Sequence, residues 1–239
     1  MRTIPYVTPS DVARWEEVLN RIEPTIATDI AEQRLQKGRR IAQHFRNRIN
    51  SGLLAYSNGD TFRALHDFNE AVSRFMLFFD PKYADAVDLS HVFETSAEVL
   101  EVVLIVNAPC LTTISQKLQP LHVASTDPRS AYVRAVSSLI VSDRKSAVTE
   151  ATVLRELNAG QFGSAIPAAI LAIARGCPNN FLANVQSALN DFDGVCRSEA
   201  RGTPEAVIFL RGVALIHLYE RSNGEAVSRS GLDIRLMPE

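Results

Sequence analysis

The chain has 239 residues, with 25 Lys plus Arg against 27 Asp plus Glu and a formal net charge of −2. Apolar residues make up 46% and charged residues 22%. This composition excludes a disordered tail, which is poorer in apolar residues and more strongly charged, and near-neutrality argues against a general nucleic-acid binder.

Helical periodicity runs along the chain. Thr8-Pro9-Ser10-Asp11 reads as a helix start, with Pro at the first helical position and Asp three residues after Thr. Val12, Trp15, Leu19 and Ile22 then fall on one face, and Pro24 is expected to end or kink that helix. A second helical stretch covers residues 25–57 with a break at Gly38, and its stripe is Ile41, Phe45, Ile49, Leu53 and Tyr56. Asn58-Gly59 terminates it and Asp60 caps the next helix. That helix carries the strongest stripe in the chain, Phe62, Leu65, Phe68, Val72, Phe75 and Phe79, which reads as core. The short turn makes an αα-hairpin with facing stripes.

Residues 86–107 are rich in β-branched side chains, but their length and the charges at Glu94, Glu98 and Glu101 favour a helix over a strand. Residues 110–126 are irregular or hold one short helix. Asp127-Pro128 starts another, 144–157 a further one, and a short helix from Pro167 to Arg175 ends at Gly176. Pro178 opens a helix with Phe181, Val185, Leu189 and Phe192 in register. Thr203-Pro204-Glu205 is expected to open the last, through Val207, Leu210, Ala214 and Leu218 to Asn223-Gly224. The tail from Leu232 alternates like a short extended segment.

The expected architecture is therefore all-α, with about nine helices and stacked antiparallel hairpins in a tetratricopeptide-like solenoid or a bundle. Segments 53–65 and 154–166 echo one another loosely, but lie about 100 residues apart, far from the roughly 34-residue tetratricopeptide period. The pattern suits one domain over 1–239 with two lobes meeting near 119–130.

The three cysteines, Cys110, Cys177 and Cys196, form no CxxC motif and suit a reducing compartment. The first residues have no apolar signal region, and the apolar run Val102 to Val106 is far short of the roughly 20 residues of a membrane span. Together these suggest a cytoplasmic protein with no membrane partner.

Nucleophile-elbow, P-loop, zinc-protease and dinucleotide motifs are all missing from the sequence. Asp88, His91, Glu94, Glu98 and Glu101 share part of one helix face at spacings found among metal ligands in bundles. Such bundles need the motif on several helices, so a solvated acidic face is the simpler reading, with no metal or cofactor.

Charge placement carries more information. Between Gln33 and Gly59 every charged residue is basic: Arg34, Lys37, Arg39, Arg40, Arg46 and Arg48. Between Asp80 and Glu101 the acidic residues are Asp80, Asp85, Asp88, Glu94, Glu98 and Glu101, against Lys82 alone. Either the two blocks neutralise one another, or one is an exposed partner surface. An acidic face suits a basic partner, since complementary fields speed association.

Two stretches carry a family resemblance. NSGLLAYSNGDTFRALHDFNEAVSRFMLFF, residues 50–79, is a helix, a Gly-Asp turn and a helix of Ala and aromatic positions ending in a Phe pair. Residues 181–224 lead through a Pro-started helix to an Asn-Gly stop, then a tail holding Leu236 and Pro238. This order resembles the all-helical bacterial immunity proteins of the immunity-protein-49 type, found beside polymorphic toxins. NAGQF at 158–162 sits where that family has its second Gly-polar helix turn, with Gly-Gln here in place of Gly-Asp. The resemblance covers about 60% of the chain, leaving 81–145 unmatched. It implies a cytoplasmic non-enzyme that binds one cognate toxin one-to-one, with no catalytic residues to carry over.

The residues expected at the toxin interface are Asp85, Asp88, Glu94, Glu98 and Glu101. The alternatives are a helical-repeat adaptor holding peptides on a concave face, and a bundle metalloenzyme built around His91. Self-association is left open.

Overall fold

A computed structural model describes residue 4 and residues 6–32, 37–86, 88–157 and 163–228, apart from the side chains of 37 and 84–86. The fold is all-α. Among the described residues there are ten α-helices and no strand: α1 (Pro9–Ala31), α2 (Lys37–Ser57), α3 (Thr61–Met76), α4 (Leu89–Ile105), α5 (Leu111–His122), α6 (Pro128–Ile140), α7 (Arg144–Glu156), α8 (Ala165–Arg175), α9 (Pro178–Ser198) and α10 (Leu210–Asn223).

The chain divides into two compact units. The first holds Met1–Thr95 and Val195–Ile208, and the second Ser96–Gly194 and Phe209–Met237, so α4 and α9 each contribute to both. Segment 119–130 lies inside the second unit, where it joins α5 to α6.

In the first unit, Thr8 and Asp11 form the expected capping box on α1. The helix continues past Pro24 to Ala31 rather than ending there. Pro24 and Asn20 are both exposed, so water can bond the Asn20 carbonyl that the proline leaves without a donor. The α1 core positions are Val12, Leu19, Ile26 and Ile30, while Ile22 is 36% exposed. The second helix begins at Lys37 and includes Gly38, so the chain is not broken at Gly38; residues 33–36 lie outside the described residues.

Helices α2 and α3 form the expected hairpin, with Gly59 at φ +84° and Asp60 accepting from the Arg63 amide. The α2 stripe Ile41, Phe45, Ile49, Leu53 and Tyr56 is fully in the core. Close approach occurs at Gly52, where a Cβ would sit 2.7 Å from the Phe68 ring. The α3 stripe departs from expectation. Phe68, Val72 and Phe75 are buried, but Leu65 is 36% exposed and Phe62 is 87% exposed. Ala64, Asp67 and Ala71 are the buried positions that complete that face.

The N-terminal segment is tied to the return segment at Gly202. Its carbonyl accepts from Trp15 Nε1 at 2.8 Å and Arg14 Nη2 at 3.1 Å, and its amide donates to Tyr6 O at 2.8 Å. Pro204–Ala206 is only a single 3-10 turn, and α10 starts at Leu210, so Thr203-Pro204 does not open the last helix.

In the second unit α6 is the central helix. It packs with α5, α7, α8 and α10, and all its residues from Ser130 to Ile140 except Arg134 are buried. Segment 110–122 is a true helix, α5, despite Pro120 in its last turn. Gly176 (φ +67°) and Gly224 (φ +69°) close α8 and α10 in the left-handed conformation that glycine adopts without steric cost. Phe181 stacks on Tyr219 at 4.7 Å and Phe192 on Phe209 at 4.9 Å. Residues 158–162 and those from 229 onward, including the expected family turn, Leu236 and Pro238, lie outside the described residues.

Candidate functional site

The sequence pointed to the acidic block, and the structure separates its members. The Asp85 side chain lies outside the described ones. Asp88, Leu89 and Ser90 are consecutive exposed residues at the start of α4, and Glu94, one turn beyond Ser90, is also exposed. Asp88 accepts from the Ser90 amide at 2.8 Å, and this bond holds its carboxyl below the usual range. Leu89, next to Asp88 in the chain, is 57% exposed. The start of α4 is set by the start of α2. A Cβ on Gly38 would lie 3.2 Å from the Asp88 amide nitrogen and 3.3 Å from the His91 ring, so a bulkier residue there would push α4 away.

Glu98 is half-buried. Glu101 is buried, in the second unit. Arg211 Nε donates to Glu101 Oε1 at 2.7 Å, and the same guanidinium lies 5.1 Å from the Tyr132 ring centre. Burial pushes the Glu101 carboxyl up, and Arg211 opposes that. Its charge is spent inside the fold, so Glu101 is corrected from an interface residue to a core ion pair. The reason is the α4 register, which aims position 101 inward among Val99, Leu100, Val102 and Val103.

Two members of the basic block, Arg40 and Arg48, pair with carboxylates outside the acidic block. Arg40 Nε pairs with Asp29 Oδ2 at 3.1 Å. Arg48 reaches Glu23 at 2.6 Å and Asp67 at 3.4 Å. The neutralising carboxylates come from α1 and α3. Arg34 and the Lys37 side chain lie outside the described residues.

Around Arg48 a polar seam joins α1, α2 and α3. His44 Nε2 lies 2.8 Å from Glu23 Oε1, and Ser51 Oγ donates to Asp67 Oδ2 at 2.7 Å. Asp67 and His44 are buried. Burial lowers the His44 pKa, and the Glu23 carboxylate opposes this. Positions 44, 48 and 51 recur at helical spacing, which was the available sequence signal. Their partners on α1 and α3 carried none.

The second unit has a comparable feature. His122 is fully buried, with Nδ1 2.9 Å from Ser130 Oγ. Burial pushes its pKa down to about 4, with Arg134 acting in the same direction.

Among the described residues, no group of three or more His, Cys, Asp or Glu side chains is placed to hold a metal ion. His91 Nδ1 and Glu94 Oε2 lie 3.6 Å apart, with His91 half-buried and Glu94 exposed. Cys110 sits at the N-cap of α5, and burial raises its thiol pKa. No described helix is long and apolar enough to cross a membrane.

Compared with protein-family models, curated proteins and solved structures, the chain matches none.

Proposed function

We propose that this chain is a cytoplasmic immunity protein that neutralises one cognate, basic toxin by tight one-to-one binding. The observation that carries the reading is the exposed start of α4, where the carboxylates of Asp88 and Glu94 and the apolar side chain of Leu89 all stand in solvent within the first two turns. Protein interfaces place apolar anchors at the centre and polar or charged groups at the rim. Carboxylates at the rim steer a basic partner and repel acidic competitors. The Gly38 contact fixes that turn in place before binding, so little ordering cost is left to pay at the interface. The resemblance of residues 50–79 and 181–224 to immunity proteins supports the same class.

The test is binding kinetics of the Asp88→Asn/Glu94→Lys variant against the captured partner. Asn keeps an acceptor for the Ser90 amide, so the helix start survives while the charge is lost. The association rate should fall by more than about tenfold at low salt, and the gap to the wild type should narrow at high salt, where both fields are screened. An unchanged rate refutes the acidic face.

A second reading, a helical-repeat adaptor, draws on Phe62 and Leu65, which leave an apolar pair on the outer face of α3. An adaptor binds several partners weakly, whereas an immunity protein has one. Partner number therefore separates the two.

A further inference from the structure

The second unit has a cleft of about 400 Å³ between α5, α6 and α7. That volume falls in the range of small-ligand sites, which combine apolar walls with a few convergent polar groups. Pro120 and Val123 form the apolar wall, and Arg134, Ser138 and Glu150 the polar one.

The cationic group is held rigidly. Arg134 Nε donates to Glu150 Oε2 at 2.8 Å, and Nη1 donates to the carbonyls of His122 and Ser125. Among the described residues, nothing engages Arg134 Nη2 or Glu150 Oε1. Ser138 is 1% exposed, lines the cleft, and its hydroxyl makes no hydrogen bond among the described residues. Lining the cleft, this hydroxyl is open to donate to a ligand acceptor.

The charges decide the ligand. A plain anion drawn to Arg134 meets the Glu150 carboxylate on the same wall. A plain cation drawn to Glu150 meets Arg134. A molecule with both charges on neighbouring atoms satisfies both. We infer that this cleft binds a free α-amino acid, with its carboxylate on Arg134 Nη2 and Ser138 Oγ and its ammonium on Glu150 Oε1. The side chain lies along Pro120 and Val123. A peptide does not meet these demands, because its two termini stand apart. This site is independent of the partner-binding face.

The experiment is calorimetric titration of the full chain with each standard amino acid in turn at millimolar concentration. At least one should bind saturably at one site. Its N-acetyl derivative, lacking the cation, and its decarboxylated amine, lacking the anion, should each bind at least about tenfold more weakly. Glu150→Gln should weaken binding by a similar factor. Val123→Trp, at a position already 69% exposed, should block the cleft without disturbing the fold. Unchanged thermal midpoints confirm that both variants are folded. The inference is overturned if no amino acid binds, if the N-acetyl derivative or the amine binds as well as the parent, or if folded Glu150→Gln and Val123→Trp proteins bind as the wild type does.

Discussion

Replacing Arg211 by Met tests the reading of Glu101 directly. Glu101 is 5% exposed, and its cation is Arg211, 2.7 Å away. Removing one partner of a buried ion pair costs about 3–5 kcal/mol, because the other charge stays buried and uncompensated. For a chain of this size each kcal/mol shifts the thermal midpoint by roughly 2–4 °C, so the fall should be about 6–20 °C. The sign with pH follows from the carboxyl. Burial raises its pKa above the ordinary 4.5, so the penalty is absent where Glu101 is protonated and grows as pH rises through its folded pKa. The Arg211→Met deficit should therefore be large at neutral pH and shrink in acid. The double variant Glu101→Leu/Arg211→Met leaves no stranded charge and should recover to within about 1–2 kcal/mol of wild type. Urea unfolding of the four proteins at two pH values completes the cycle. An Arg211→Met cost below about 1 kcal/mol, or a double variant no better than the single one, would refute the buried-pair account.

Three other outcomes are expected. Phe62→Ser should change stability by less than about 0.5 kcal/mol, since Phe62 is 87% exposed, whereas Phe75→Ala should cost about 3–5 kcal/mol; chemical denaturation of both variants checks this. Gly52→Ala should destabilise by about 1–3 kcal/mol, because its Cβ would press within 2.7 Å of the Phe68 ring, and a Phe68→Leu background should restore part of the loss. His122 should make stability fall as pH drops. Its pKa is about 4 in the folded chain and 6.5 when unfolded, so its contribution is complete above pH 6.5 and is lost progressively down to pH 4, by up to about 3 kcal/mol. His122→Asn should flatten that part of the pH profile in denaturation experiments, and an unaltered profile would exclude His122 as its source.

Local signals were readable in the sequence wherever a short motif fixes the backbone. Asn58-Gly59-Asp60 marks the α2–α3 turn, Asp127-Pro128 the start of α6, and Gly176 the end of α8, because each rests on capping or left-handed geometry within a few residues. Length and the charges at Glu94, Glu98 and Glu101 also identified α4 as a helix despite its β-branched content. Faces were harder to read. Periodicity places Phe62 and Leu65 on the stripe of Phe68, but packing against α2 sets which side is covered, and Asp67 takes a buried place there because Ser51 and Arg48 engage its carboxylate. Pro24 stops a helix only where the freed carbonyl is shielded from water, which a sequence does not show. Glu101 read as one more acidic surface residue because its partner, Arg211, stands 110 positions away. The exposed acidic pair Asp88 and Glu94 was legible from charge alone, while the apolar Leu89 next to Asp88 was not singled out. The α5–α6–α7 cleft left no motif, since its lining residues are scattered over positions 119–150.

The most direct test of the partner-binding account is affinity capture from the native host through a high-salt wash, comparing the wild-type chain with Asp88→Asn/Leu89→Ala/Glu94→Lys. The account predicts one stoichiometric basic partner on the wild type and its loss from the triple variant. Several substoichiometric partners, no partner, or equal capture by the folded variant would contradict it.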